Sequence, residues 1–139
     1  IEDIHSILIK NWELSVIFDS RRVGITGTNY RPLEIEYQIR EAMEDTCQLI
    51  KIKQSIFDKA FLAFSSVILH SAFADGNKRT ARITSNAILI ANGYCPLSFR
   101  SVDSIDYKKA MLVFYEQNNI YPFKKIFIEQ FEFAVNTYF

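Results

Sequence analysis

The residues with the clearest chemical potential lie between positions 71 and 82, in the run SAFADGNKRTAR. An apolar stretch ends there at an Asp-Gly-Asn turn, and a second stretch with helical periodicity follows directly. The first backbone N–H groups of a helix have no partner inside it, so they would point into this turn and attract an anion. The run therefore predicts an anion-binding loop at a helix N-terminus.

Polar side chains in the run strengthen this prediction. Gly76 allows close approach of the backbone, and Asn77 adds a side-chain amide. Lys78 and Arg79 bring positive charge beside the helix dipole, and Arg82 follows Arg79 by three residues, on the same helical face. This combination is typical of a site for a di- or triphosphate.

Asp75 is the acidic member of the run, and its carboxylate could hold a Mg²⁺ ion that bridges the same phosphates. A plainer interpretation makes Asp-Gly-Asn an ordinary interhelical turn, with Lys78, Arg79 and Arg82 as solvated surface charges. Each residue taken alone fits the plainer interpretation better. Together with Phe73 before the turn, at the end of the most apolar predicted helix, they favour a binding site.

The composition indicates one compact domain and narrows its partners. Of the 139 residues 49% are hydrophobic, and 16 basic residues balance 16 acidic ones. Because the net charge is zero, we expect no broad basic face for nucleic acid. Cys47 and Cys95 form no CxxC or Cys/His cluster, which argues against a zinc site and favours a reducing, cytoplasmic location. Neither a long apolar run nor a leader pattern is present, so no membrane span or secretion signal is predicted.

The periodicity of the apolar residues predicts a mainly α-helical domain. Six helices are expected: near residues 2–14, from Pro32 as first residue, over 54–70, from 77 to a C-cap at Gly93, after a cap at Asp103 or Ser104, and from Pro122 onwards. The helix over 54–70 is apolar on nearly every face, which places it in the core. Between the first two helices β-branched residues alternate with small ones, so a short β element is predicted over 17–30.

The run up to Arg82 resembles the signature of the Fic/Doc (Fido-fold) proteins, His-x-Phe-x-Asp/Glu-Gly-Asn-Gly/Lys-Arg-x-x-Arg. The order of the predicted elements is also similar to that of the family over essentially the whole chain. The resemblance implies a single all-α domain over residues 1–139, built as a helical bundle around a central buried helix. It also implies a β-hairpin flap at 17–30 and a motif loop at 71–82.

The resemblance implies a role for each residue of the loop. Phe73 would anchor the loop in the core, and Asp75 would bind Mg²⁺. The phosphates of ATP would be held by the other polar residues, with Gly76, Asn77 and Lys78 at the α- and β-phosphates and Arg79 and Arg82 at the rest. Family members typically transfer AMP from ATP to a hydroxyl of a target protein. The target would dock along the flap, at Gly24, Ile25, Thr26 and Gly27.

The sequence departs from the signature at the histidine that acts as general base in the family. That position is occupied by Ser71, and a histidine, His70, stands one residue earlier. One residue along a helix turns a side chain by about 100° and shifts it by about 1.5 Å, so His70 cannot simply substitute. A bulge or early unwinding at the helix end could still present His70. Otherwise Ser71 marks a loss of the base, either natural or introduced to silence the enzyme, because serine cannot accept a proton near neutral pH.

Three functions remain open on the sequence. The first is a Fic-type adenylyltransferase acting on a protein hydroxyl, and the second is a catalytically impaired nucleotide-binding or regulatory module. The third, a Doc-like protein phosphotransferase, is suggested by Lys78 in place of the commoner glycine, although Gly76 retains the AMP-transferring form of the loop. The family's inhibitory helix would set a glutamate against Arg82. No glutamate of this sequence fits that helix pattern, so an inhibitor would be a separate protein, lie in further sequence, or be absent.

Overall fold

The computed structural model of the chain describes residue 1 and residues 25–73 and 75–139. These ranges form five helices and no strand: α1 (Glu36–Ile52), α2 (Ile56–His70), α3 (Asn77–Ala91), α4 (Ser104–Gln117) and α5 (Tyr121–Tyr138). The predicted mainly α-helical class is thereby confirmed. The predicted helix over 2–14 and residues 17–24 of the predicted β element lie outside the described residues.

Helix α2 is the centre of the fold, and it packs against both α1 and α3. Its sequence, IFDKAFLAFSSVILH, is apolar on nearly every face, so burial on all sides is its most favourable arrangement. Ser55 caps its N-terminus, where the serine hydroxyl accepts a hydrogen bond from the backbone N–H of Asp58 at 3.3 Å. The helix therefore has a fixed start, and its far end meets the loop that the sequence singles out.

Phenylalanines join α2 to the last helix. Phe61 and Phe64 of α2 face Phe123 and Phe127 of α5, with ring centroids 5.1 Å apart for Phe61 and Phe127 and 5.4 Å apart for Phe64 and Phe123. Burial of each phenylalanine side chain contributes about 1.5–3 kcal/mol, so this cluster is a main source of the core's stability. None of the helices in the described part of the chain is long and apolar enough to cross a bilayer.

Two of the predicted helix ends are confirmed. Gly93 follows α3 with φ of +79°, and the backbone N–H of Tyr94 reaches the carbonyl of Leu89 at 2.9 Å, the bonding pattern of a glycine-terminated helix. Asp103 caps α4, since its carboxylate accepts a hydrogen bond from the backbone N–H of Ile105 at 2.7 Å. These signals are local, so the sequence alone specifies them.

The prediction that Pro32 is the first residue of a helix is wrong. Helix α1 begins four residues later, at Glu36, and Ile35 before it is extended, with φ of −104° and ψ of 123°. Pro32 is buried and Leu33 packs against the core. The segment before Ile35 has no regular secondary structure, and in it both residues reach the core, so tertiary packing overrides the local helix signal.

Candidate functional site

Two residues of the loop between α2 and α3 have left-handed backbone. Ser71 follows α2 with φ of 44° and ψ of 52°, and Gly76 precedes α3 with φ of 80°. No side-chain hydrogen bond caps the start of α3. The N-terminus of α3 therefore keeps backbone N–H groups that can bind an anion, as a capped turn would not.

The side chain of Asn77 holds the loop closed. Its Oδ1 accepts a hydrogen bond from the backbone N–H of Phe73 at 2.9 Å, and its Nδ2 donates one to the carbonyl of Phe73 at 2.6 Å. The side chain of Phe73 is fully buried in the core. The ring of Phe73 therefore packs in the core where the loop begins, and the amide of Asn77 is bonded to the loop backbone instead of standing free for a phosphate.

Two adjoining cavities open at this loop. The first, here called the loop cavity, has a volume of about 510 Å³ and is lined by Ser71, Asp75, Gly76, Asn77, Lys78 and Arg79 among others. The second, here called the aromatic cavity, has a volume of about 600 Å³ and is lined by Phe99, Tyr107, Met111 and Leu112, with Arg82 and Lys108, among others. Lys78 and Tyr115 line both, so the two cavities meet there. Their sizes lie in the usual range for small-molecule sites.

Part of the predicted flap lies over these cavities. Ile25 and Thr26 line both of them, and Gly27 lines the aromatic cavity from a turn in which its φ is +90°. Residues 25–30 contain this turn and no strand. Gly24 and the rest of the predicted hairpin lie outside the described residues, so the hairpin itself stays a prediction.

The cations of the loop differ in their surroundings. Arg79 donates a hydrogen bond to Asp75 Oδ2 at 3.0 Å, in an ion pair whose two side chains are about half exposed. The guanidinium carbon of Arg82 lies 5.7 Å from the centroid of the Phe99 ring, within the range of a cation–π contact. Lys78 lines both cavities and is exposed. Positive charge is therefore concentrated where the cavities meet.

Asp75 is the one carboxylate among the described residues that line either cavity. Residues 25–73 and 75–139 contain no group of three potential metal ligands among their His, Cys, Asp and Glu side chains. Mg²⁺ at nucleotide sites is commonly held by one or two carboxylates together with the substrate's phosphates. Asp75 therefore fits Mg²⁺ only in company with a bound phosphate, and the metal would share its carboxylate with Arg79.

Ser71 and His70 occupy different environments. Ser71 is 5% exposed, lines the loop cavity, and directs both its backbone N–H and its Oγ to the carbonyl of Ile68, at 3.3 and 3.2 Å. His70 is the last residue of the regular helix α2 and lines neither cavity. Its burial lowers the pKa of the imidazole below 6.5. The helix thus ends after His70 without a bulge, and Ser71 is the residue at the cavity.

A pair of tyrosines fixes the end of α2. Tyr30 Oη donates a hydrogen bond to the carbonyl of Leu69 at 3.1 Å, and Tyr115 Oη donates one to the carbonyl of Ile68 at 3.5 Å. The two rings stack with centroids 5.2 Å apart. Burial raises the pKa of Tyr30 and of Tyr115 above the usual value of 10, so both hydroxyls stay protonated as donors. The last turn of a helix has carbonyls without partners inside the helix; here Tyr30 supplies one for Leu69, and Tyr115 adds a further donor to Ile68, which Ser71 already reaches.

The sequence interpretation missed the residues that complete the site from the other side. Phe99 lies between α3 and α4, and Tyr107, Lys108 and Tyr115 lie on α4. No local spacing relates them to the loop, because tertiary packing alone brings α4 beside it. A stripe at positions 107, 111 and 115 is visible in the sequence, but a stripe of this kind is typical of any core-facing helix.

Solved structures with a similar fold include two proteins of Bartonella and one of C. elegans. The BepC effector protein of Bartonella tribocorum, solved with bound AMPPNP, superposes with a TM-score of 0.71 at 16% identity, covering 93% of this chain and 71% of that one. The N-terminal Fic domain of a putative cell filamentation protein of Bartonella quintana, solved with bound ADP, has a TM-score of 0.74 at 18% identity, and the match covers 93% of this chain and 70% of that one. Fic-1 of C. elegans has a TM-score of 0.72 at 19% identity, and the match covers 99% of this chain and 40% of that one.

Comparison of sequences gives two results. No curated protein sequence matches the chain at a significant level. The sequence profile of the Fic/DOC family matches residues 1–89, which include α1, α2, the whole motif loop and nearly all of α3. The agreement of this match with the fold and with the loop geometry leads to one conclusion: the chain belongs to the Fic/DOC family.

Proposed function

We propose that this chain is a nucleotide-binding Fic domain whose transfer activity is impaired at the position of the general base. The observation that carries the proposal is the junction of the two cavities at Lys78 and Tyr115. On one side of the junction lies an open helix N-terminus with cations, and on the other lies a wall of aromatic side chains. A nucleoside triphosphate has the same two parts, a polyanion and a flat base.

The phosphates bind in the loop cavity. The N-terminus of α3 offers backbone N–H groups and the positive end of the helix dipole, and Gly76 leaves room for close approach. Lys78 and Arg79 add charge-assisted hydrogen bonds, which are about twice as strong as neutral ones, and Arg82 adds them from the adjoining aromatic cavity, one helical turn after Lys78. Asp75 would hold Mg²⁺ in company with the phosphates, and the metal would neutralise part of their charge.

The base lies in the aromatic cavity. Phe99, Tyr107 and Tyr115 line it, and Met111 and Leu112 complete its apolar wall. Stacking of a base on an aromatic side chain contributes about 1–3 kcal/mol. In this arrangement the triphosphate crosses the junction beside Lys78, and ATP, the substrate typical of the family, spans both cavities.

The reaction that fits such a site is in-line transfer of a nucleotidyl group to a hydroxyl of a target protein. The hydroxyl oxygen forms a bond to the α-phosphorus, the bond to the β-phosphate oxygen breaks, and pyrophosphate leaves. The proton of the hydroxyl must pass to a base. Ser71 cannot take it, and a missing general base lowers a rate by a factor of about 10²–10⁴. The chain therefore binds nucleotide and transfers it slowly.

The target protein and any inhibitor would meet the site at different places. An extended target segment would dock beside Ile25 and Thr26, which line both cavities and so lie close to the α-phosphate in this arrangement. A separate inhibitory protein would act by setting a carboxylate against Arg82, as the family's inhibitory helix does. Both partners are part of the proposal.

Lys78 supports a second candidate, a phosphotransferase of the Doc kind, because that branch of the family has lysine at this position. In that reaction the γ-phosphate would move to the target hydroxyl and ADP would leave. The position of the label in ATP distinguishes the two candidate reactions. Label from the α-phosphate of ATP reaches the target only in nucleotidyl transfer, and label from the γ-phosphate only in phosphoryl transfer.

Titration calorimetry with ATP and Mg²⁺ tests the proposed site directly. The parent chain should bind, and Arg82→Ala should weaken binding by about tenfold or more, since a hydrogen bond to a charged group is worth about 1.5–3 kcal/mol. Lys109→Ala is a suitable control, because Lys109 is an exposed neighbour that lines neither cavity. Equal affinity in all three proteins would remove the site assignment.

A further inference from the structure

The polar side chains of the aromatic cavity are nearly all hydrogen-bond donors. Three of them, Lys78, Arg82 and Lys108, carry donors and no acceptor. The remaining ones are hydroxyls, from Thr26, Ser104, Tyr107 and Tyr115. No carboxylate, side-chain amide or histidine lines the cavity among the described residues. Among the side chains that line it, a ligand will therefore meet more hydrogen-bond donors than acceptors.

The two tyrosine hydroxyls do not reverse this excess of donors over acceptors. Tyr115 Oη is already directed to the carbonyl of Ile68, as described above. Tyr107 Oη is buried, and its O–H has no acceptor among the described residues, while Arg82, which can only donate, lies beside the oxygen. Burial raises the pKa of Tyr107, although the neighbouring charge of Arg82 opposes part of the rise, so the hydroxyl keeps its proton. A buried donor without a partner is costly, and an acceptor on the ligand would relieve that cost.

We infer that the aromatic cavity selects nucleotides whose base carries an oxo group, over those whose base carries an amino group, at the same ring position. Hypoxanthine, guanine and uracil have an oxo oxygen there, which accepts hydrogen bonds, whereas adenine and cytosine have an amino group, which donates them. Arg82 is assigned to the phosphates, so the donors that face the base are Lys108 and Tyr107; between them an oxo group is satisfied and an amino group is left facing donors. This inference rests on the proposed function, and it names the class of nucleotide.

Lys108 is the residue assigned to this selection. It lies on α4 one turn after Ser104, at the i, i+4 spacing that sets both on one helical face, and both line the cavity. Its neighbour Lys109 is exposed and lines neither cavity. Lys108 is also outside the motif loop, so its effect on base selection can be separated from phosphate binding.

Calorimetry with matched pairs of nucleotides tests the inference. ITP differs from ATP, and UTP from CTP, in this exocyclic group and the adjacent ring proton, while sugar and triphosphate are shared. At a fixed Mg²⁺ concentration we expect ITP and UTP to bind about tenfold tighter than their amino partners, the discrimination of one good base contact. Equal binding within each pair, or tighter binding of ATP and CTP, would overturn the inference.

Two variants separate a contact to the base from a contact to phosphate. Lys108→Ala should reduce the preference within each pair to less than about threefold, and Lys108→Gln, which adds an acceptor, should improve ATP and CTP relative to their partners. Lys109→Ala should keep the preference of the parent. Uniform weakening of all four nucleotides by Lys108→Ala would mark a phosphate contact and refute the assignment. Absence of binding by all four would instead refute the nucleotide site itself.

Discussion

Replacement of Ser71 by histidine should raise nucleotidyl transfer by a factor of about 10²–10⁴, the usual contribution of a general base. This corresponds to about 3–5 kcal/mol of activation free energy. The residue lines the loop cavity, and the signature residues from Phe73 to Arg82 are all retained. Only the proton acceptor is missing from the site that we propose, so a single substitution should have a large effect.

The structure also sets the stability cost of this substitution. Ser71 has left-handed backbone, which histidine adopts more readily than most residues. The hydrogen bond from its Oγ to the carbonyl of Ile68 is lost, at about 1 kcal/mol. A larger side chain at a position that is 5% exposed adds about 1–3 kcal/mol of strain. The sum is below the stability of a typical domain, about 5–15 kcal/mol, so the variant should fold with a lower melting temperature.

Transfer of label from α-labelled ATP to protein in a cell lysate is the assay, with nucleotide affinity and thermal melting measured on the same preparations. Ser71→Ala is the matched control, because it removes the same hydrogen bond without supplying a base, and it should show no gain. A folded Ser71→His protein that binds nucleotide but labels no faster than Ser71→Ala would refute the reasoning. So would an active parent chain whose activity is lost in His70→Ala.

Three further predictions concern the residues around the loop. Asn77→Ala should destabilise the fold by about 1–3 kcal/mol, because it removes the two hydrogen bonds between Asn77 and the backbone of Phe73, and denaturant unfolding measures the loss. Tyr30→Phe should lower the free energy of unfolding by about 1 kcal/mol and weaken nucleotide binding as the segment over the cavities loosens; unchanged values of both would contradict the role of this tyrosine. His70 should lower the free energy of unfolding as the pH falls below about 6.5, because its pKa is lowered in the folded chain and the unfolded chain therefore binds more protons. His70→Gln should reduce this pH dependence, measured as the free energy of unfolding between about pH 7.5 and 5.5.

The parts of this molecule that the sequence predicts are those with local causes. The cap at Asp103 and the glycine end of α3 at Gly93 follow from single residues and their immediate neighbours. The loop follows from twelve consecutive residues whose types are unusual together. The position of Ser71 could be counted along the chain, and the structure then places it at the loop cavity.

The parts that the sequence does not predict depend on contacts between distant elements. Helix α1 begins at Glu36 and not at Pro32, because Leu33 packs against the core from a segment that is not helical. The amide of Asn77 braces Phe73 instead of facing outward, a choice that only the closed loop determines. The aromatic cavity requires α4 to lie beside the loop, and nothing near Lys108 in the sequence indicates that arrangement.

The two tyrosines at the end of α2 have a consequence for the order in which the molecule folds. Tyr30 reaches Leu69 across 39 residues of chain, and Tyr115 reaches Ile68 across 47 residues from the other direction. Contacts between residues so far apart require closure of long loops, and they form late unless they belong to the folding nucleus. These two tyrosine contacts should therefore form after helices α2 and α3 have packed together. In a kinetic analysis Tyr30→Phe should mainly speed unfolding, with a φ-value near zero, whereas truncations in the phenylalanine cluster should slow folding.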